Sequence, residues 1–216
     1  MSRLVVPLLL SFFLFFLAIL PVSATTVAIG DTFSETDATA SIMINDVTDV
    51  ATATVNVTYD PSVIVVTDAE KGDFPSFISN LEHANDGWVK VGAYQTGDGL
   101  SGDVKLAKLT ITPKGSYGKF SDLGIDVEEL QDSGFNTIDA EVMDGFFYIG
   151  KNGDVNADRT VDSYDCVHIA RWIVGVEGYE LEEGAADVSG DRIVDAYDCV
   201  YLVRHIAGIS GYEELK

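Results

Sequence analysis

The C-terminal third of the chain contains one segment twice, and this duplication limits the possible fold more than any other feature of the sequence. Residues 153–179 align with residues 186–212 at an offset of 33, as GDVNADRTVDSYDCVHIARWIVGVEGY against ADVSGDRIVDAYDCVYLVRHIAGISGY, and more than half of the positions are identical. Chance does not produce such agreement. The duplication therefore predicts two equivalent structural units that pack against each other.

Each repeat opens with oxygen-bearing side chains at loop positions 1, 3, 5, 9 and 12, which is the ligand spacing of EF-hand calcium loops. The backbone carbonyl at position 7 adds a ligand, and position 12 supplies a carboxylate from the following helix. A cation that takes about 6 to 8 oxygen ligands offsets the repulsion among the aspartates, and Ca²⁺ suits such a loop better than Mg²⁺. The predicted ligands are Asp154, Asn156, Asp158, Thr160, Asp162 and Asp165, and Asp187, Ser189, Asp191, Ile193, Asp195 and Asp198.

A solvated acidic turn is the alternative interpretation of one loop, but two loops in the same register favour metal sites, and we expect two bound Ca²⁺ ions. Position 6 departs from the EF-hand pattern, because Arg159 and Arg192 stand where glycine is usual. A left-handed backbone at an arginine costs roughly 1 kcal/mol, so the sequence predicts a reduced affinity. Position 12 is Asp rather than Glu, and a strand-like segment precedes the first loop instead of a helix.

Residues 151–216 resemble the type I dockerin domain, in which two Asp-x-Asn/Ser-x-Asp loops end in Asp and each leads into one helix. The resemblance implies a small all-α module of two loop–helix repeats, two Ca²⁺ ions and a cohesin-bearing partner protein. It also implies that loop positions 10 and 11 and helix positions 17, 18 and 22 contact the partner. These residues are Ser163, Tyr164, Ala170, Arg171 and Gly175, and Ala196, Tyr197, Val203, Arg204 and Gly208. Because Tyr and Arg recur, either half is predicted to bind the partner after a half-turn of the module.

The apolar residues that follow each loop recur at helical spacing, so we expect one buried stripe on each helix and contact between the two stripes. Cys166 and Cys199 occupy the same place in the two repeats and are the only cysteines. In an exported protein they predict a disulfide, and two buried thiols are the equal alternative. The stripe residues are Cys166, Ile169, Ala170 and Ile173, and Cys199, Leu202, Val203 and Ile206.

Residues 1–24 have the pattern of a secretory signal: Arg3, a long apolar run and small residues before a cleavage site after Ala24. An uncleaved membrane anchor is the alternative, because residues 4–20 approach the length that spans a bilayer. Loss of Arg3 changes the formal net charge from −22 to −23. So acidic a chain repels nucleic acid and anionic lipid, and we expect a secreted or cell-surface protein.

Residues 25–150 predict an all-β sandwich or jelly roll, because short segments with period-2 alternation are separated by turn residues and not by helices. Parallel strands would need crossover helices, so the strands are expected to be antiparallel. The predicted strands lie near residues 38–44, 51–59, 63–67, 88–94, 104–112, 123–127 and 142–149.

The segment VTYDPSVIVV at residues 57–66 resembles the cohesin domain, in which a strand ending in Tyr-Asp-Pro-Ser leads into an apolar strand. LAKLTI at residues 106–111 and DGFFY at residues 144–148 are similar to its later strands. The resemblance implies a non-catalytic sandwich that holds a dockerin-bearing protein on one sheet face. With the C-terminal resemblance, it implies a secreted adaptor of cellulosome-like complexes that act on polysaccharides.

No catalytic site is predicted for residues 25–150. His83 is the only histidine in this range and cysteine is absent from it, so the sequence offers no recognisable Ser-His or Cys-His nucleophilic site there. Acidic pairs such as Glu128 and Glu129 arise readily in so acidic a chain, and a glycoside hydrolase is the weakest hypothesis. The main alternative is a carbohydrate-binding sandwich tethered by its dockerin, with Trp88 and Tyr94 stacked on a sugar.

Overall fold

The computed structural model describes residues 24–181 and 183–216, with strands followed by helices. Residues 1–23, and with them nearly all of the predicted signal segment, lie outside the described residues. Within the described part, no helix is long and apolar enough to cross a membrane. The elements are β1 (Thr26–Ile29), β2 (Thr32–Phe33), β3 (Ala38–Thr58), β4 (Ile64–Lys71), β5 (Ser76–Asn80), a 3₁₀ turn (Ala84–Asp86), β6 (Trp88–Tyr94), β7 (Leu100–Pro113), β8 (Phe120–Asp132), β9 (Glu141–Met143), β10 (Gly145–Tyr148), α1 (Ser163–Ile173), α2 (Glu183–Ala186) and α3 (Ala196–Ile206).

Strand β3 belongs to both layers of a β-sandwich. Its first half pairs with β1 and β7, and its second half pairs with β6 and β8. Between the halves, Asp46 and Asp49 adopt left-handed backbone angles, with φ of 52° and 61°, and the register against β7 shifts. Such bulges bend a strand and increase its twist. The two strands predicted at residues 38–44 and 51–59 are therefore one bent strand.

The two layers are β4-β7-β3-β1-β9 and β5-β6-β3-β8-β10-β2. This arrangement confirms the predicted all-β sandwich. The neighbours are antiparallel except for β1 with β9 and β2 with β10, which are short parallel pairs. The predicted strand at residues 142–149 is divided at Asp144, so that β9 and β10 lie in different layers. Strands β1, β2 and β5 were not predicted, because two to five residues carry too little alternation.

Alternate side chains of the strands meet in the core between the layers. Ile42 and Ile44 of β3, Leu109 of β7 and Leu123 of β8 are fully buried there. A second, smaller cluster lies around the helices and does not merge with the first. It consists of Val155, Cys166, Ile169, Ala186, Val188, Tyr201 and Leu202.

The Tyr-Asp-Pro-Ser segment forms a turn that joins the layers. The buried Tyr59 hydroxyl donates to the Ala84 carbonyl at 2.7 Å and accepts from the Val66 N–H at 3.3 Å. Asp60 Oδ1 accepts from both the N–H and the hydroxyl of Ser62, at 2.8 and 2.7 Å, and this lowers the pKa of Asp60. These contacts give Tyr59 and Asp60 structural roles.

Candidate metal loops and partner surfaces

The first acidic loop folds around the carboxylate of Asp165. This side chain is fully buried at the start of α1. Its Oδ1 accepts from the N–H groups of Val155 and Asn156 at 3.0 and 3.3 Å, and its Oδ2 accepts from the Asp162 N–H at 2.8 Å. One carboxylate therefore connects the beginning of the loop, the end of the loop and the helix.

Asp154, at position 1 of this loop, is also fully buried. Its Oδ1 accepts from the Asp158 N–H at 3.1 Å, and its Oδ2 accepts from the Arg159 N–H at 2.8 Å. A second donor reaches Oδ2 from the sandwich, namely the hydroxyl of Tyr117. Both ends of the loop thus carry buried carboxylates.

The second loop repeats this arrangement. Asp198, fully buried at the start of α3, accepts from the N–H groups of Ser189 and Asp195 at 3.0 and 2.9 Å. Asp187 Oδ2 accepts from the Arg192 N–H at 2.7 Å, as Asp154 does from Arg159. The sequence repeat is therefore also a repeat of hydrogen bonds.

Side chains at positions 3 and 5 turn toward the backbone of their own loop. Asn156 Oδ1 accepts from the Asp158 N–H at 2.8 Å, and Asp158 Oδ1 accepts from the Thr160 N–H at 2.9 Å. In the second loop, Asp191 Oδ1 accepts from the Ile193 N–H at 2.9 Å. These bonds hold the two loops in tight turns.

Position 9 starts each helix. Asp162 and Asp195 have extended backbones and accept from the N–H groups of Tyr164 and Tyr197 at 2.7 and 2.6 Å. In both repeats the aspartate at position 12 returns a bond to the cap, which completes a capping box. This local chemistry satisfies N–H groups that a helix start otherwise leaves unpaired.

The left-handed backbone expected at position 6 is present. Arg159 and Arg192 have φ of 77° and 68°, in the region that favours glycine. Position 4 is left-handed as well, at Ala157 with φ of 58° and at Gly190 with φ of 73°. Each loop therefore holds two left-handed residues. Of these four residues, one is a glycine, Gly190.

The donor set of the loops suits a hard cation. Asp154, Asp165 and Asp198 are buried carboxylates, and among the described residues none of them forms an ion pair. Burial raises the pKa of Asp165 and Asp198 above the usual range, although backbone N–H groups act in the opposite direction. A bound cation would favour the ionised forms.

As the loops stand, no three Asp, Glu, His or Cys side chains within the described ranges converge into a group that could hold a metal ion. An EF-hand-type site also draws on amide, hydroxyl and backbone carbonyl oxygens. The loops supply these from Asn156, Ser189, Thr160 and Ile193.

All ten residues that the sequence assigned to partner recognition are exposed in the structure, and none is covered by the sandwich. They form two equivalent sets at the loop ends and along the helices. The first set is Ser163, Tyr164, Ala170, Arg171 and Gly175, and the second is Ala196, Tyr197, Val203, Arg204 and Gly208.

Each helix arginine is held by the tyrosine that closes its own repeat. The Arg171 guanidinium lies 4.7 Å from the centre of the Tyr179 ring and donates to its hydroxyl. Arg204 does the same to Tyr212, at 4.9 Å. Both arginines remain exposed, so the tyrosines orient their side chains without covering them.

The buried stripe of the helices is narrower than predicted. Cys166, Ile169 and Leu202 are buried, Cys199 is partly buried, and Tyr201 contributes in place of an expected aliphatic residue. Two short helices that pack mainly on each other cover only the residues at their contact. The remaining predicted stripe residues are exposed: Ala170, Ile173, Val203 and Ile206.

Both cysteines are free thiols in the structure, and the Cys199 thiol donates to the Cys166 carbonyl at 3.7 Å. Burial raises the pKa of Cys166 to about 11 and also raises that of Cys199. The helices that carry them are therefore in contact, and a disulfide between them stays a prediction.

An exposed apolar groove lies on the outer face of the β5-β6-β3-β8 layer. Ile78, Tyr94 and Phe135 line it and are 69%, 53% and 82% exposed, and Glu129 adds a carboxylate. Tyr94 was predicted as a sugar contact in the carbohydrate-binding alternative, but the groove itself was not predicted. Its residues come from separate segments, with Ile78 and Tyr94 on strands and Phe135 in the turn after β8.

The comparisons with known proteins agree with both parts of the structure. A model of the cohesin domain matches residues 20–144, and a model of the dockerin type I domain matches residues 152–207. Among curated protein sequences, no match to the chain is found.

Several solved structures resemble the sandwich. A non-cellulosomal cohesin from Archaeoglobus fulgidus is 21% identical, with a TM-score of 0.51 over 58% of this chain and 90% of that one. The sixth cohesin of scaffoldin B from Acetivibrio cellulolyticus, solved with the Cel5 dockerin, is 18% identical, with a TM-score of 0.53 over 59% and 99%. CaCohA2 from Clostridium acetobutylicum is 19% identical, with a TM-score of 0.50 over 63% and 97%. At identities this low, the structural similarity establishes the fold alone.

The strain at position 6 can be tested in the second loop. Replacement of Arg192 by glycine removes the left-handed penalty, whereas replacement by alanine keeps it. We expect Arg192→Gly to be more stable than Arg192→Ala by about 1 kcal/mol in urea unfolding followed by far-UV circular dichroism. Equal stabilities would show that the loop relaxes away from this backbone angle.

Proposed function

We propose that this chain, which belongs to the cohesin family and carries a type I dockerin domain after its sandwich, is a non-catalytic adaptor that joins two other proteins. Cohesin and dockerin domains are interaction modules, and together they support assembly through cohesin–dockerin pairing. The sandwich would receive a dockerin-bearing protein, and the helical module would bind a cohesin-bearing protein. The observation that carries this proposal is that both candidate surfaces are exposed in the same chain.

Two Ca²⁺ ions would order the helical module. Support comes from the carboxylates at positions 1 and 12, of which Asp154, Asp165 and Asp198 are buried, and from the further oxygen donors at positions 3, 5 and 7. The cation would supply the positive charge that these carboxylates lack and would link each loop to its helix. Asp162 and Asp195 already cap the helices, so they would act at position 9 through an intervening water.

The recognition surface of the helical module would be used in either of two orientations. The two halves expose equivalent residues, and each presents a tyrosine and, about two helical turns later, an arginine that is stacked on a second tyrosine. A half-turn of the module exchanges Tyr164 and Arg171 with Tyr197 and Arg204. Arginine and tyrosine are enriched among residues that dominate binding energy.

The groove lined by Ile78, Tyr94 and Phe135 would be the receptor surface of the sandwich. A cluster of exposed apolar side chains on a sheet face is typical of a protein-binding site. Glu129 at the groove would attract an arginine from the partner. The carbohydrate-binding alternative loses one of its two aromatic residues, because the Trp88 ring stacks on the His83 ring at 4.2 Å.

The complex would be assembled outside the cell. Support comes from the signal pattern of residues 1–24 and from the acidic composition, which suits a soluble exported protein. A role in cellulosome-like assemblies that bind or degrade polysaccharides would follow from the module types.

The metal proposal predicts two Ca²⁺ per full-length chain in isothermal calorimetry. We expect Asp165→Asn and Asp198→Asn each to weaken one site by at least about a hundredfold, because each removes a carboxylate ligand. Asp98→Asn, in an exposed turn, is the matched control and should bind two ions. Failure of the unmodified chain to bind Ca²⁺ would refute the metal proposal.

The two-orientation proposal predicts unequal effects of single and double substitutions on binding to a panel of purified cohesin domains. Arg171→Ala or Arg204→Ala alone should lower affinity about twofold, because one of two equivalent orientations is lost. The double substitution should lower it by about 30-fold or more, the effect of one central arginine. Lys114→Ala, an exposed cation on the sandwich, serves as the control. Loss of binding in only one single variant would contradict the proposal.

The receptor proposal predicts that Phe135→Asp weakens capture of dockerin domains by about tenfold or more, because a charge would enter the apolar contact. Val142→Asp places the same charge on the other layer, where the side chain is 45% exposed, and should bind normally. Surface plasmon resonance with a dockerin panel measures both. Binding to a polysaccharide array that Phe135→Asp abolishes would instead favour the carbohydrate-binding alternative.

A further inference from the structure

The end of the sandwich contacts the first acidic loop directly. The Tyr117 hydroxyl donates to Asp154 Oδ2, and the Tyr148 hydroxyl donates to the Asp154 carbonyl at 3.0 Å. The Arg159 guanidinium lies 4.7 Å from the centre of the Tyr117 ring and 3.4 Å from a carboxylate oxygen of Glu35. Positions 1 and 6 of this loop are therefore held from outside the repeat as well as from within it.

The sandwich and the first acidic loop also pack closely at Gly118, which follows Tyr117. Gly118 has a left-handed backbone, with φ of 79°, and a side chain there would lie 2.8 Å from the Ala157 Cβ. Ala157 is position 4 of the loop. The sandwich therefore approaches the loop so closely that only glycine is accommodated at residue 118, which keeps the Tyr117 hydroxyl within reach of Asp154.

The second loop lacks this support. Asp187 accepts from the Ser189 hydroxyl and from the N–H groups of Gly190, Asp191 and Arg192, all in its own loop. Among the described residues, no sandwich side chain donates to its carboxylate. Asp31 of the sandwich instead lines a cavity together with Asp187 and Arg192.

The two oxygens of Asp154 are used differently. Oδ2 accepts from both Tyr117 and the Arg159 N–H, whereas within the described residues Oδ1 accepts from the Asp158 N–H alone. Donors on the outer oxygen of a ligating carboxylate fix its orientation and leave the inner oxygen for the metal. Tyr117 is thus placed to act behind a metal ligand, although it belongs to the other module.

We propose that Tyr117 is a positioning residue for the first Ca²⁺ loop, so that the sandwich raises the affinity of this loop above that of its twin. This inference rests on the proposed Ca²⁺ binding. Linkage makes the effect reciprocal: Ca²⁺ in the first loop stabilises the packing of the sandwich on the helical module by the same factor. The adaptor would then become a rigid two-module body as its first site fills.

The test uses the full-length chain, Ca²⁺ alone as the probe and NMR to follow each loop separately. The backbone N–H groups of Arg159 and Arg192 bond to the position-1 carboxylates, so their signals report the two loops individually. In Tyr117→Phe we expect the dissociation constant of the first loop to rise about tenfold, with the second loop unchanged. Ser79→Ala removes an exposed hydroxyl from strand β5, outside the groove, and should change neither loop.

Gly118→Ala is the second variant, because it forces the sandwich away from Ala157 while it keeps the Tyr117 hydroxyl. It should also weaken the first loop alone. Unchanged affinities in both variants, or equal weakening of the two loops, would overturn the positioning role. No Ca²⁺-dependent shift in the unmodified chain would overturn the proposed metal binding itself and the positioning role with it.

Discussion

The helical module depends on the hydrogen bonds of one buried carboxylate in the first turn of each helix. Asp165 joins residues at both ends of its loop to α1, and Asp198 does the same for α3. A carboxylate with its hydrogen bonds satisfied but without a countercharge is costly to bury. The loops and helices therefore fold as one unit, and a cation that neutralises these groups contributes directly to the stability of that unit.

The sandwich and the helical module meet in a way that leaves both proposed partner surfaces exposed. Tyr117 and Tyr148 contact the first loop at its position-1 residue, and the helix residues Arg171 and Arg204 remain exposed. The groove at Phe135 lies on a sheet face, not at the end of the sandwich that holds these tyrosines. One chain can thus present the two proposed binding surfaces at the same time.

Features encoded by neighbouring residues were predicted well, and features that depend on distant segments were not. The acidic loops, the helix starts and the left-handed Arg159 follow from spacing within about 12 residues, and the sequence was sufficient to find them, whereas the metal ligands stay a prediction. The bend in β3 depends on pairing with strands far along the chain, so one strand was predicted as two. The same limit explains why the groove was missed, because its residues Ile78 and Phe135 belong to different segments. It also explains why Ala170 was predicted to be buried in the helix stripe and is exposed.

The duplicated loops also show why a sequence repeat does not guarantee equal behaviour. Asp154 and Asp187 occupy the same position and both accept from the N–H groups at positions 5 and 6 of their loops, yet a tyrosine hydroxyl of the sandwich donates to Asp154, whereas the sandwich carboxylate of Asp31 lines a cavity with Asp187. A donor behind a ligand strengthens cation binding, whereas a nearby carboxylate adds charge without orienting the ligand. The difference between the surroundings of the two loops therefore arises from tertiary contacts between the sandwich and the helical module.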